Sequence, residues 1–122
     1  MAAVEVKIYG IVLDEESKVP VIILKVVEGV EKLFIQVGII EASAIAAAME
    51  EIKLPRPMTH DLLASVISSL GGSLQRIEVT DLKDSTFYAN LYVKIGKRII
   101  EIDSRPSDAI ATAVRLNSPI FV

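Results

Sequence analysis

The sequence predicts an α+β fold: a mainly antiparallel or mixed sheet of six to seven strands packed with three helices, in one domain over residues 1–122. Three observations carry this expectation. Segments with strand-like alternation come in runs, three before the first helix and three after the second, whereas a parallel α/β fold would alternate strand with helix. Three other segments carry apolar residues at helical spacing. The length of 122 residues suits one ordinary core without disulfide or metal staples.

The elements follow in order. VEVKIYGIVLD alternates Val4, Val6 and Ile8 with Glu5, Lys7 and Tyr9, the pattern of a strand with one wet face. A charged turn at residues 14–18 leads into PVIILKVV, a continuous apolar run of strand length. VEGVE, with its glycine at the bend, leads on to KLFIQV, completing an antiparallel meander. The period then changes: Ile45, Ala48, Met49 and Ile52 and a run of alanines predict a helix over residues 42–53, stopped by LPRP. Leu62, Leu63, Val66, Ile67 and Leu70 form the stripe of a second helix, which ends at Gly71-Gly72, where a left-handed cap costs least. Ile77 and Val79 begin a strand, a turn is expected at Lys83-Asp84, and Phe87 to Ile95 alternate without a fault. Ile95-Gly96-Lys97-Arg98 suits a tight hairpin into IIEID. Ile110, Ala113 and Val114 mark a third helix, and PIFV a last short strand that either pairs within the sheet or offers an edge for self-association.

Composition narrows the function. Hydrophobic residues make up 52% of the chain, yet the longest apolar run, VPVIILKVV, is interrupted by Lys25 and falls well short of the ~20 residues a membrane helix needs. With no cysteine and no export signal, a soluble cytoplasmic protein without disulfides is expected. The 13 basic and 16 acidic side chains give a net charge of −3, the wrong sign for holding nucleic acid by overall field, so any such contact requires a local basic patch.

Two stretches stand out: RPMTHDLL at residues 56–63 and SRPSDAIA at residues 104–111, each running Arg-Pro, a hydroxyl and an aspartate into an apolar helix. Thr59 and Ser107 are expected to be N-caps, and Asp61 and Asp108 suit the positive end of the helix dipole. Capping does not account for His60, the single histidine. Beside a helix N-terminus a cationic imidazole is disfavoured, and the neutral ring can serve as a general base or metal ligand. Arg56 and Arg105, each just before a helix start, add guanidinium to free amides and make plausible phosphate sites, or else surface ion pairs with Asp61 or Asp108. Glu41, Asp81, Asp103 and Asp108 stand at element ends, where carboxylates are candidate ligands of Mg²⁺ or Mn²⁺. The sequence has no phosphate-binding glycine loop, HExxH, CxxC or GxSxG, and no aromatic stripe beyond Tyr88 and Tyr92.

GIIEASAIAAAME, RPMTHDLL, DLKDSTFYANL and IDSRPSDAIATAVRLNSPIFV, in this order, resemble the bifunctional nuclease domain family, also called the DUF151 family, and in particular its small stand-alone bacterial members. The resemblance runs from PVIILKV to the last residue, with Ser85 where the family often has glycine. It implies a nuclease acting on RNA and DNA, an activity associated with plant members. By motif it carries over Glu41, Thr59, His60, Asp61, Asp103, Arg105, Ser107 and Asp108. The expected chemistry is phosphodiester hydrolysis: His60, Asp61, Asp108 and Glu41 catalytic, Arg56, Arg105, Thr59 and Ser107 on the substrate, and Asp103 and Asp108 holding Mg²⁺ or Mn²⁺. RNA or DNA would be the partner, together with further copies of the chain in a dimer or larger homo-oligomer. The alternative is a non-catalytic domain of the same fold that oligomerises or binds a partner.

Overall fold

The computed structural model describes residues 3–83 and 86–122. Its elements are β1 (Glu5–Leu13), β2 (Pro20–Val26), β3 (Lys32–Gln36), α1 (Ile39–Met49), α2 (Thr59–Ser69), β4 (Gly72–Lys83), β5 (Thr86–Ile95), β6 (Arg98–Ser104), α3 (Pro106–Leu116) and β7 (Ile120–Phe121). They form one seven-stranded mixed sheet in the order β3-β2-β1-β7-β4-β5-β6, with three helices, as the α+β reading requires.

The last strand joins two halves of the sheet. β1, β2 and β3 form one antiparallel meander, β4, β5 and β6 another, and β7 lies between them, antiparallel to β1 and parallel to β4. Of the two roles open to PIFV, pairing within the sheet is the one it takes. Reciprocal bonds between Val4 and Val122, both 2.9 Å, extend the β1 pairing. The Ser118 hydroxyl donates to the Leu74 carbonyl at 2.9 Å and fixes the turn that delivers β7.

Alternation gives the sheet two unlike faces. Val6, Ile22, Leu24, Ile35, Ile77, Val79, Ala89, Leu91 and Val93 are buried with the helices, whereas Lys7, Lys25, Lys32, Tyr88 and Tyr92 belong to the other face. α3 packs on β4 and β5 and touches both other helices. Its Ala109, Ala111 and Ala113 are fully buried and let it approach closely, while Ile110 fills the space beneath. Thr112, also fully buried, donates its hydroxyl to the Asp108 carbonyl at 2.8 Å.

Boundaries moved for local reasons. The first helix spans Ile39–Met49 rather than residues 42–53, because Glu51 takes a left-handed conformation (φ 55°) before LPRP is reached. The second ends as expected, with Gly71 at φ 85°. β4 begins immediately after it at Gly72, earlier than the alternation around Ile77 suggests. β4 and β5 pair as far as Lys83 and Thr86; the expected turn there includes Asp84, which with Ser85 lies outside the described residues. No helix among the described residues is long and apolar enough to cross a membrane.

Because Ile110 is wholly enclosed, Ile110→Ala is expected to lower stability by about 2 to 5 kcal/mol. Chemical denaturation checks this, and a loss below ~1 kcal/mol would mean that α3 is not the centre of the core.

Candidate active site

The first turns of all three helices meet at one place. Asp108, two residues beyond Pro106 in α3, accepts from Arg105 Nε at 2.8 Å and Nη2 at 3.1 Å, and lies 2.9 Å from His60 Nε2 of α2. Arg105 Nη2 is also 3.5 Å from Glu41 Oε2 in the first turn of α1. Residues 41, 60, 105 and 108, far apart in sequence, therefore form one chain of contacts. The Glu41 carboxylate folds over Gly38, into the space that a Cβ at that position would take.

Each group has a distinct electrostatic setting. Burial pushes the Asp108 carboxyl up, but hydrogen bonds from Arg105 and His60 outweigh it and hold the group below its ordinary value. The same bond to Asp108 raises the Arg105 guanidinium above its usual value. Asp108 is thus a carboxylate at neutral pH, and it accepts a hydrogen bond from His60 whenever Nε2 carries a proton. With the proton on Nε2 alone, Nδ1 is an acceptor, and it has no partner among the described residues. The His60 side chain is only 12% exposed, whereas that of Arg105 is 64% exposed. Arg105 Nη1, which has no partner among the described residues, faces no competing acid.

A second ion pair fastens α2 to α3. Arg115 Nε donates to Asp61 Oδ1 at 2.7 Å, and its Nη1 donates to the Ala111 carbonyl at 2.9 Å. The Arg115 side chain is 8% exposed. The Met58 backbone N–H, 2.9 Å from Asp61 Oδ2, and then Arg115 hold the Asp61 carboxyl below its ordinary value. Arg115 was not among the residues expected from sequence. Its signal was its spacing: seven residues after Asp108, two helical turns on, it shares a face with that aspartate.

The expected N-caps are corrected. The N-cap of α2 is Met58 and that of α3 is Arg105, so Thr59 and Ser107 fall inside the first turns and neither caps with its side chain. Shifting the start by one residue makes Asp61 the third helical residue, where it returns a bond to the N-cap amide, the reciprocal half of a capping box. Pro106 at the head of α3 explains the other shift, since its fixed φ suits the first helical position. Thr59 is exposed, and Ser107 is buried.

Not every expected residue joins the cluster. Arg56 is exposed on the loop before α2 and has no ion-pair partner among the described residues. Asp103 pairs in register with Asn90, one residue out of phase with Ser104 and buried Ala89, so it belongs to the sheet face turned away from the helices. It therefore does not join Asp108, and no group of three or more metal-ligating His, Asp or Glu side chains exists among the described residues. The Asp81 side chain lies outside those described.

Beside the cluster opens a cleft of about 700 Å³, lined in part by Val21, Phe34, Val37, Phe87, Arg105 and Ser107. His60 and Asp108 do not line it. Arg105 links the two, since it is bonded to Asp108 and also lines the cleft.

The family profile described as the bifunctional nuclease domain matches residues 22–122. The chain belongs to the bifunctional nuclease domain family. An uncharacterised protein of Mycobacterium tuberculosis is 41% identical over 118 residues, covering 97% of this chain and 70% of that protein. Bifunctional nuclease 1 of Oryza sativa subsp. indica is 31% identical over 106 residues, covering 83% of this chain, and its Arabidopsis thaliana counterpart is 30% identical over 108 residues. The aligned segments are 32% and 33% of those plant proteins, so this bifunctional nuclease domain spans about a third of their length.

The Asp61–Arg115 contact generates a pH prediction. Asp61 has a lower pKa folded than unfolded, so its contribution is present above the unfolded value of ~3.9 and is lost as pH falls through the lower folded value. Denaturation midpoints from pH 7 to pH 2 should fall below about pH 4, and less steeply in Asp61→Asn. The variant itself should lose about 1 to 3 kcal/mol at pH 7, less than a fully buried pair because Asp61 is partly exposed.

Proposed function

We propose that this bifunctional nuclease domain cleaves phosphodiester bonds, with His60 and Asp108 as the proton-transfer pair and Arg105 as the phosphate clamp. The observation that carries the reading is the 2.9 Å contact between His60 Nε2 and Asp108, made beside an exposed arginine. Asp108 orients the ring and stabilises its cationic form, leaving Nδ1 to accept a proton. Arg105 offers its unbonded Nη1 to a phosphate oxygen, where negative charge grows in the transition state. Family membership supports the same reading.

This arrangement suits RNA especially. The 2′-hydroxyl is a built-in nucleophile: Nδ1 takes its proton, the oxygen attacks the adjacent phosphorus, and the 5′-oxygen leaves and takes a proton from water. The products are a 2′,3′-cyclic phosphate and a 5′-hydroxyl. DNA has no such hydroxyl and requires an activated water, a harder step for the same base. The donors present do not fit Mg²⁺ or Mn²⁺ as arranged, because Arg105 engages both Asp108 oxygens and approaches Glu41, while Asp103 belongs to the opposite face. The proposed steps therefore use the side chains alone.

A second reading, an oligomerising or partner-binding domain, is favoured by the apolar residues that α1, α2 and the segments after them leave exposed, among them Ile40, Ile52, Leu54, Leu62 and Leu70. Sedimentation velocity over a concentration series checks this reading: a dimer or larger species that dissociates in Leu62→Glu is expected, and a monomer at every concentration would remove it.

Turnover of end-labelled RNA and DNA, single- and double-stranded, tests the nuclease reading. His60→Ala and Asp108→Asn should each lose about 10²- to 10⁴-fold in rate while remaining folded. RNA should be cut faster than DNA, and cutting of RNA should persist in EDTA. A strict need for Mg²⁺ or Mn²⁺ would mean that Arg105 gives up Glu41 and Asp108 to the ion. Equal turnover by wild type and both variants would place the activity elsewhere.

A further inference from the structure

The face of the sheet away from the helices holds a feature that folding does not explain. Lys7 pairs in register with Lys25, and Lys25 with Lys32, so three lysines stand side by side across β1, β2 and β3. Strands lie about 4.8 Å apart. Like charges placed directly opposite one another destabilise a sheet. None of the three makes an ion pair among the described residues, and Glu5, one same-face step along β1 from Lys7, forms none with it. Arg76, which the β4–β7 register sets at about the same level, is by contrast already paired with Glu78 at 2.6 Å. Protection of a sheet edge accounts for a lysine on β3, the edge strand, but not for those on β1 and β2.

Two aromatic rings accompany the lysines. Tyr9, 60% exposed at the β1 bulge, has Lys32 Nζ at 4.3 Å and Lys25 Nζ at 5.8 Å from its ring centre. Phe34, 58% exposed, lies one same-face step along β3 from Lys32. Phe34 also forms part of the wall of the cleft that ends at Arg105. The face and the cleft are thus continuous over the edge of β3.

We propose that the outer face of β1, β2 and β3 is a binding track for single-stranded nucleic acid, with Lys7, Lys25 and Lys32 on phosphates and Tyr9 and Phe34 stacking unpaired bases, leading over β3 into the cleft. The inference rests on the nuclease reading for its direction, since the track ends at the proposed phosphate clamp. Cations supply the sequence-independent attraction, and exposed rings on a sheet favour unpaired bases over a duplex, whose bases are already stacked. With a net charge of −3, the overall field of the chain does not supply this attraction, so a local patch must.

The test is fluorescence anisotropy with a 2′-O-methyl oligouridine of roughly twelve nucleotides, a probe with no free 2′-hydroxyl to cleave. The triple variant Lys7→Gln/Lys25→Gln/Lys32→Gln should bind at least ~10-fold more weakly at low salt, and the dependence of log affinity on log salt should flatten by about 2. Tyr9→Ala/Phe34→Ala should weaken binding while leaving that slope unchanged. Thermal melting of the lysine triple should be no lower than that of wild type, because repulsion has been removed. A control triple, Lys53→Gln/Lys97→Gln/Arg98→Gln, carries the same charge change away from the track and should bind as wild type does. Equal weakening in the two triples, no weakening in either, or binding of duplex or polyglutamate as tight as that of the probe would each overturn the track. Cleavage of ordinary RNA is scored separately: wild-type turnover with unaltered binding in the lysine triple removes the track alone, and track-dependent binding without turnover removes the nuclease reading alone.

Discussion

The burial of α3 against the sheet positions everything else at the candidate site. Three fully buried alanines bring its backbone close to β4 and β5, and Ile110 locks the rotation of the helix about its axis. With the rotation fixed, Asp108 and Arg115 are presented on one side, two turns apart. α2 meets that side with His60 and Asp61, consecutive residues that take one partner each. The face of the helix that satisfies the core therefore also sets the geometry of the ionisable groups.

The two contacts between α2 and α3 differ in character. Asp61 and Arg115 pair a partly exposed carboxylate with a buried arginine that is also bonded to a carbonyl of its own helix, and their role is to hold α2 in place. His60 and Asp108 are also bonded, but they adjoin an exposed guanidinium and a cleft. Among the described residues, one nitrogen of His60 and one of Arg105 have no partner there. A purely structural network has no need to leave such groups at its margin, and this difference separates the site from the scaffold.

β7 contributes at longer range. Its two residues bridge the meanders, so the β1–β3 half is held in a fixed relation to the half that carries α3. This places the end of β3 and the first turn of α1 against the start of α3, where Glu41 meets Arg105 and Phe34 shares a cleft with Phe87. A continuous surface from the lysine row to the guanidinium depends on that closure. Repulsion among the lysines is tolerated because the opposite face of the same strands is well buried, with Ile22 and Leu24 inaccessible to solvent.

Sequence by itself determined the fold class, the number of helices and most of the strands, because hydrophobic period is a local property, although most of the stripe on α2 stays exposed. It also marked His60, which capping does not explain, and Arg105, Asp108 and Glu41 as candidates beside it. Tertiary structure decided which of them meet. Asp103 is excluded by a one-residue phase relation along β6, Arg56 by the path of a loop, and Arg115 enters because a helix face is shared across seven residues. The capping roles of Thr59 and Ser107 failed because a helix start shifts by a residue or two at little cost, and each shift reassigns every capping position. The alignment of Lys7, Lys25 and Lys32 lay outside local pattern altogether, since strand register is fixed only when whole strands pair.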